Sequence, residues 1–429
     1  MLQLNFKLRV SDIVNFSWIF LGQVISVIAA VLGLRIISDK ISPDLFGSAT
    51  LYIGIIALLQ GAVALPIMQS ALWCFPTAIT DGTIAELKRV VYQSVRKDAV
   101  CVLLMMFTII LVAGKRIDVS GLIVFASVSL FIGDIVRSYE VTFLNAEGRN
   151  ALVSLILVCD AVMKPLFAVA LLYSPMSSKV AAVVLGYSIG SWAALLVFWI
   201  LVNKVPNFLN INGSTQVDND KYVSSLRRYA KPLRINPVLG WISGQGDRYI
   251  IGAFGDLRGV GIYSSIYGLV SRPFLILSSI VEMLFRQQFY SKVKDNDLLG
   301  ARKILHTWLF GVVLSSVVVF CILLLVNKWI ASLVLGSRFQ GYDKIMVWIE
   351  SGYVFHVVYL VFERVFYAAD DTKSVLRMQI FSAALSVIIP LLMVYKFGWV
   401  GAAWSVPIYF GIQMLVGFIV LKMRYSWIS

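Results

Sequence analysis

Ser243–Pro273, SGQGDRYIIGAFGDLRGVGIYSSIYGLVSRP, sets the reading of the whole chain. It reads as the end of one apolar helix, a short turn, and the first half of the next. Asp247, Arg248 and Arg272 stand inside runs that are otherwise apolar enough to lie in hydrocarbon. A charge there costs about 2.5–3.5 kcal/mol on insertion scales, so such residues face a protein interior or a wet cavity. The stretch therefore points to helices scaffolding a charged internal cavity.

Composition agrees. Of 429 residues, 59% are hydrophobic and 14% charged, against about 45–50% and 25% in soluble domains. No polar stretch is long enough for a separate soluble domain. Phe16–Ile37 is about one full span with no small-residue cleavage site after it, so it reads as a retained first helix. The net charge of +14 raises the possibility of nucleic-acid binding, but topology accounts for most of it. Lys and Arg concentrate on one set of alternate loops and termini, which places both termini in the cytoplasm. Nucleic acid is not expected as a partner.

Apolar runs of membrane length give about twelve spans. The longest polar stretch, 204–231, contains NINGSTQVDNDK and reads as a cytoplasmic linker between an N-terminal six-helix bundle, 1–203, and a C-terminal one, 232–429. Basic cytoplasmic segments are expected at Phe75–Lys97 and Arg286–Lys303, and an outer turn at Lys115–Arg116. The halves resemble each other: Glu140-x-x-Phe143-x-x-Ala146-Glu147 parallels Glu363-x-x-Phe366-x-x-Ala369-Asp370, and Gly47 parallels Gly261. The expected fold is all-α and polytopic, with two pseudo-symmetric six-helix bundles around a central cavity.

Asp160 and Lys164 lie four apart on one helical face, acid first, which favours pairing. Either they neutralise each other, or Lys164 offers its ammonium to an anion. Asp134, Arg137 and Glu140 share a stripe where local pairing near the interface is the simpler reading. Asp247 and Arg248 point about 100° apart, so they cannot simply cancel. Arg272 falls near mid-membrane, too deep to snorkel easily. Glu282, Glu350 and Glu363 fall near span ends, where solvation at the interface suffices. Lys164-Pro165 and Arg272-Pro273 each put a base before a mid-span proline, where a kink is expected. Gly186-x-x-x-Gly190 and Gly240-x-x-x-Gly244 would let helices approach closely.

Other chemistries find no support. Gly114-Lys115 is followed by Arg116 and lacks the preceding glycine of a phosphate-binding loop. His306 and His356 stand apart without metal-ligand spacing, so neither a metal nor a cofactor is expected. Cys74, Cys101, Cys159 and Cys321 are scattered along apolar segments and read as buried inert thiols.

GDRYIIGAFGDLRGVGIYSSIYGLVSRP, with its DR-x-x-I-G and V-G-x-Y motifs, and the opening SDIVNFSWIFLGQVISVIAAVLGLRIIS…PDLFGSATLY resemble the polysaccharide (O-antigen-type) flippase family. That family belongs to the multidrug/oligosaccharidyl-lipid/polysaccharide exporter superfamily. The resemblance covers the whole chain. It implies a bacterial inner-membrane flippase, not an enzyme. Such a protein moves an undecaprenyl-diphosphate-linked oligosaccharide for O-antigen, capsule or exopolysaccharide synthesis, by ion-coupled alternating access. Membrane lipid and the polysaccharide polymerase and chain-length machinery would be its further partners. On this reading Arg248, Arg272 and Lys164 contact phosphate or sugar, with Arg35 a fourth. Asp160 or Asp247 would couple to the ion. The chain departs from a strongly cationic lumen, because Asp134, Asp160 and Asp247 offset much of the deep positive charge. A multidrug cation exporter of the same superfamily and a membrane glycosyl-transfer enzyme acting on lipid-linked sugars are the alternatives, and a non-transporting assembly scaffold is a third.

Overall fold

The computed structural model of the chain describes residues 10–113, 120–202 and 233–425, together with 224, 226, 228, 230 and 231. The Lys115–Arg116 turn and most of the 204–231 stretch lie outside these. Regular structure among the described residues is helical throughout. Twelve long helices carry it: α1 (Val10–Lys40), α2 (Pro43–Thr80), α3 (Ile84–Ala113), α4 (Gly121–Ala146), α5 (Asn150–Leu172), α6 (Lys179–Val202), α7 (Asn236–Ala253), α8 (Leu257–Lys294), α9 (Leu298–Val334), α10 (Asp343–Ala368), α11 (Thr372–Phe397) and α12 (Val400–Arg424). The all-helical expectation holds, and ten of the twelve are long and apolar enough to cross a membrane. The other two are α3, whose first half is charged, and α7, which carries Asp247 and Arg248 in 18 residues. In a bilayer a helix satisfies every backbone polar group internally, which is why such a composition resolves into helices.

The basic segments expected as loops prove helical. α2 runs to Thr80 and α3 starts at Ile84, so the connection shrinks to a turn in which Gly82 takes φ +68°. Likewise α8 runs to Lys294 and α9 starts at Leu298, with Asn296 at φ 59° between them. The reason is local: a helix leaving the membrane keeps its hydrogen bonds in water. At 1.5 Å per residue the 38 residues of α2 extend about 57 Å, well beyond the roughly 30 Å of hydrocarbon. Asp256, Asp297 and Asp371 cap α8, α9 and α11, accepting from the N–H groups of Gly259, Gly300 and Ser374.

The chain groups into two compact units, residues 1–40 with 52–238, and 41–51 with 239–429. In the first, α5 packs on α1 and α6, and α4 on α6. Its core gathers Ile67, Phe75, Leu87, Val91, Phe131 and Phe143 from α2, α3 and α4. Small residues permit the closest approaches. A Cβ on Gly186 would fall 2.3 Å from Ala168 Cα, and one on Gly190 would fall 2.5 Å from Lys164 Cα. Gly33 of α1 seats likewise on the ring of Pro165.

In the second unit α10 packs on α12, α8 and α9, and α11 on α12. The first turns of α2 and α8 meet reciprocally: a Cβ on Gly47 would lie 2.2 Å from the Leu257 carbonyl oxygen, and one on Gly261 would lie 2.0 Å from that of Pro43. Gly240 and Gly244 differ from the expectation, since a Cβ on either meets nothing within 4 Å. Cys101 and Cys321 also differ, being exposed on α3 and α9, whereas Cys74 and Cys159 are buried; all four are free. Leu325, Ile322, Leu314 and Phe310 of α9 are exposed as well, an apolar surface suited to acyl chains.

Candidate functional site

Two clusters of charge are built inside the helices, one in each unit. In the first unit the middle turns of α4 and α5 face each other. Lys164 Nζ lies 2.7 Å from Asp134 Oδ1 and 3.1 Å from Asp160 Oδ1. Arg137 Nε lies 3.6 Å from Asp134 and 3.4 Å from Asp160. Ser191 of α6 donates to Asp134 at 3.1 Å. These four charged side chains are 13 to 19% exposed, so two carboxylates and two cations neutralise one another out of water. Gly190 lets α6 approach closely enough for Ser191 to join them. The i,i+4 pair is thus real, and Asp134 and Arg137, themselves paired across one turn, join it in one cluster between α4 and α5. The signal was present in sequence: two zero-sum pairs, each within one turn, on consecutive apolar helices. What sequence lacks is the rotation that turns both faces together.

In the second unit Asp247 and Arg248 are 4% and 7% exposed. They diverge, as their spacing requires. Asp247 accepts a hydrogen bond from the Tyr263 hydroxyl and another from the Arg248 backbone N–H at 2.8 Å. The Arg248 guanidinium donates to Gln245 and sits over the Tyr267 ring, 4.9 Å from its centroid. Tyr353 donates to the Tyr267 hydroxyl at 3.0 Å. His356 packs against Phe410 with centroids 4.2 Å apart and the rings tilted by 34°, a packed histidine. Tyr263 and Tyr267, one turn apart on α8, supply groups that the charge inventory missed; aromatic residues at four-residue spacing read as plain core.

The remaining sequence-predicted residues are placed as follows. Arg272 is half-buried on α8, five residues past Tyr267. Arg35 pairs with Asp39 across one turn of α1 at 3.5 Å and is about one-third exposed. Glu350 departs from the expectation of interfacial solvation: it is wholly buried, accepting from Asn327 of α9 at 3.3 Å. Glu282 binds Arg364 at 2.8 Å and Arg286 at 3.0 Å. No group of three or more His, Cys, Asp or Glu side chains that could hold a metal occurs among the described residues.

Twelve long helices in two units, with charges folded into their interiors, define a polytopic membrane protein, and its fold is that of MOP-superfamily transporters. The chain superposes on the lipid II flippase MurJ in an inward closed conformation with a TM-score of 0.72 at 13% identity, over 96% of this chain and 87% of that one. An inward-facing multidrug resistance MATE family transporter of the MOP superfamily gives a TM-score of 0.72 at 14% identity, over 97% and 98%. A mutant of the Vibrio cholerae MATE transporter VcmN gives 0.63 at 10%, over 97% and 98%. In sequence, the chain is 22% identical over 254 residues to the probable low-salt glycan biosynthesis flippase Agl15 of Haloferax volcanii. That match covers 56% of this chain and 53% of the relative, about half its length. No protein-family model matches the chain.

Proposed function

We propose that this protein is a flippase that carries a lipid-linked oligosaccharide across a membrane, and that it does no covalent chemistry itself. One observation carries the reading: Asp134, Arg137, Asp160 and Lys164 form a balanced cluster in helices otherwise apolar enough to span. Charges held at that depth are expensive and mark substrate or ion pathways. A diphosphate attached to sugars cannot enter hydrocarbon unaided, and guanidinium and ammonium groups can replace its water with charge-assisted hydrogen bonds. The similarity to a probable glycan biosynthesis flippase supports the substrate class.

The finer reading is an undecaprenyl-diphosphate-linked repeat unit, moved from cytoplasmic to periplasmic leaflet of a bacterial inner membrane for surface polysaccharide assembly. Both termini would face the cytoplasm. Arg248 and Arg272 are the primary phosphate or sugar contacts. Lys164 joins them only when its carboxylate partners release it, so substrate binding competes with Asp134 and Asp160. Arg35 is the fourth contact. Asp160, or Asp247 beneath Tyr263, reads the ion gradient by gaining a proton or cation.

The test is transfer of a fluorescent lipid-linked oligosaccharide between leaflets of proteoliposomes. Transfer that depends on the protein, falls at least tenfold in Arg248→Ala and Arg272→Ala, and responds to an imposed proton or sodium gradient supports the proposal. Export of cationic drugs with no transfer of the lipid would replace it with the multidrug reading. Turnover of the glycan in detergent, with no second leaflet present, would replace it with an enzyme.

A further inference from the structure

The first unit also contains a basic cavity that the charge clusters do not use. It has a volume of about 580 Å³ and lies where α3 passes beside α2 and the helical residues 226, 230 and 231. Its floor is apolar and buried: Ile67, Val90 and Leu226 are 1 to 4% exposed. Its rim carries Arg96, Lys97, Lys231 and Arg234, all exposed, against one carboxylate among the described lining residues, that of Asp98. Arg234 bridges to Asp98 at 2.8 Å, which holds the rim across the opening. Gln93 and Ser94 add neutral polar atoms to the wall.

The depth of the cavity follows from the sequence of α3. Charges end at Asp98, and Ala99–Ala113 is an unbroken run without a charged residue. The cavity therefore sits where the helix passes from headgroups into hydrocarbon. α2 agrees: Ile67 is the 25th of its 38 residues, about 36 Å along the helix, just past a hydrocarbon layer of roughly 30 Å. A cationic rim over an apolar floor at headgroup level matches one chemistry, a phosphate with alkyl chains attached. Lysine supplies point charge and arginine supplies forked donors to such a phosphate.

We propose that this cavity binds the phosphate headgroup of an anionic lipid in the leaflet on the basic side of the protein, with the chain nearest the headgroup lying on Ile67, Val90 and Leu226. The lipid is either an acidic phospholipid of the bilayer or a polyprenyl diphosphate. The site stands independently of the flippase reading, because binding is measured without transport.

The experiment uses the full chain, delipidated in detergent. Native mass spectrometry titrates it with phosphatidylglycerol, with a polyprenyl diphosphate and with phosphatidylcholine. The Arg96→Ala/Lys97→Ala and Lys231→Ala/Arg234→Ala variants are run beside it. Thermal unfolding without lipid confirms that each is folded, and Arg96→Lys/Arg234→Lys keeps the charge if an alanine variant does not fold. Wild-type protein is expected to prefer an anionic lipid over phosphatidylcholine by at least tenfold, with about fivefold lost per cation removed. Loss confined to phosphatidylglycerol assigns a bilayer-lipid site; loss confined to the diphosphate assigns a loading site for substrate-like lipids. Equal binding of all three lipids, or alanine variants that bind as wild type, overturns the proposal.

Discussion

Replacing Asp134 by Asn removes one of two carboxylates from a cluster in which Lys164 Nζ lies 2.7 Å away and Arg137 Nε 3.6 Å away. The fold then holds two cations against Asp160 alone. If only an interhelical hydrogen bond mattered, the loss would be about 0.6 kcal/mol, the average for polar contacts within a membrane protein. If charge balance matters, leaving a buried charge uncompensated costs about 3–5 kcal/mol. The side chains are 13 to 19% exposed, so the larger figure governs. Asp134→Asn is therefore expected to be strongly destabilised, and Asp134→Asn/Lys164→Gln, with balance restored, to recover most of the loss. Thermal unfolding in detergent, read by tryptophan fluorescence and arranged as a double-mutant cycle, gives the coupling directly. A single variant within about 0.6 kcal/mol of wild type, or a double variant as unstable as the sum of its singles, would refute the charge-balance account.

Gly190→Ala should destabilise by about 1–3 kcal/mol through overpacking, because its Cβ would meet the Lys164 backbone at 2.5 Å, whereas Gly240→Ala meets nothing within 4 Å and should be neutral; chemical denaturation of the two variants checks the contrast. Tyr263→Phe takes a donor from the buried Asp247 carboxylate and is expected to cost about 1–3 kcal/mol; combining it with Asp247→Asn should be markedly less than additive in the same assay. At the start of α9, the Lys292 ammonium and then the Gly300 N–H hold the Asp297 carboxyl below its usual range. A depressed carboxylate contributes stability above its unfolded pKa of about 3.9 and loses it as pH falls through the folded value. Wild type and Asp297→Ala should therefore differ at neutral pH, with the difference shrinking only below about pH 3.9 and vanishing as pH falls through the lower folded value, in thermal unfolding.

Much of the fold was legible along the chain. Apolar runs of membrane length define the helices because, in a bilayer, a single segment satisfies its own backbone polar groups only as a helix. The GDRYIIG stretch marked Asp247 and Arg248 for the same reason: an uncompensated charge in such a run needs an interior to face. Hydropathy misplaced the ends of α2, α3, α8 and α9, since it registers the exit from hydrocarbon and not the end of the hydrogen-bonded helix. It was also silent on which glycines mattered. Gly186 and Gly190 carry a close helix contact while Gly240 and Gly244 carry none, though both pairs share one spacing.

Partnership is what only the folded chain decided. Sequence could pair Asp160 with Lys164 by their four-residue spacing, but bringing Asp134 and Arg137 into the same cluster depends on how α4 and α5 are rotated about their axes. Seating Tyr263 on Asp247, and burying Glu350 against Asn327, likewise depend on contacts between separate helices. Periodicity shows which residues share a helical face; the packing of the surrounding helices selects which face meets which, and therefore which charges are neutralised by partners and which are available to a ligand.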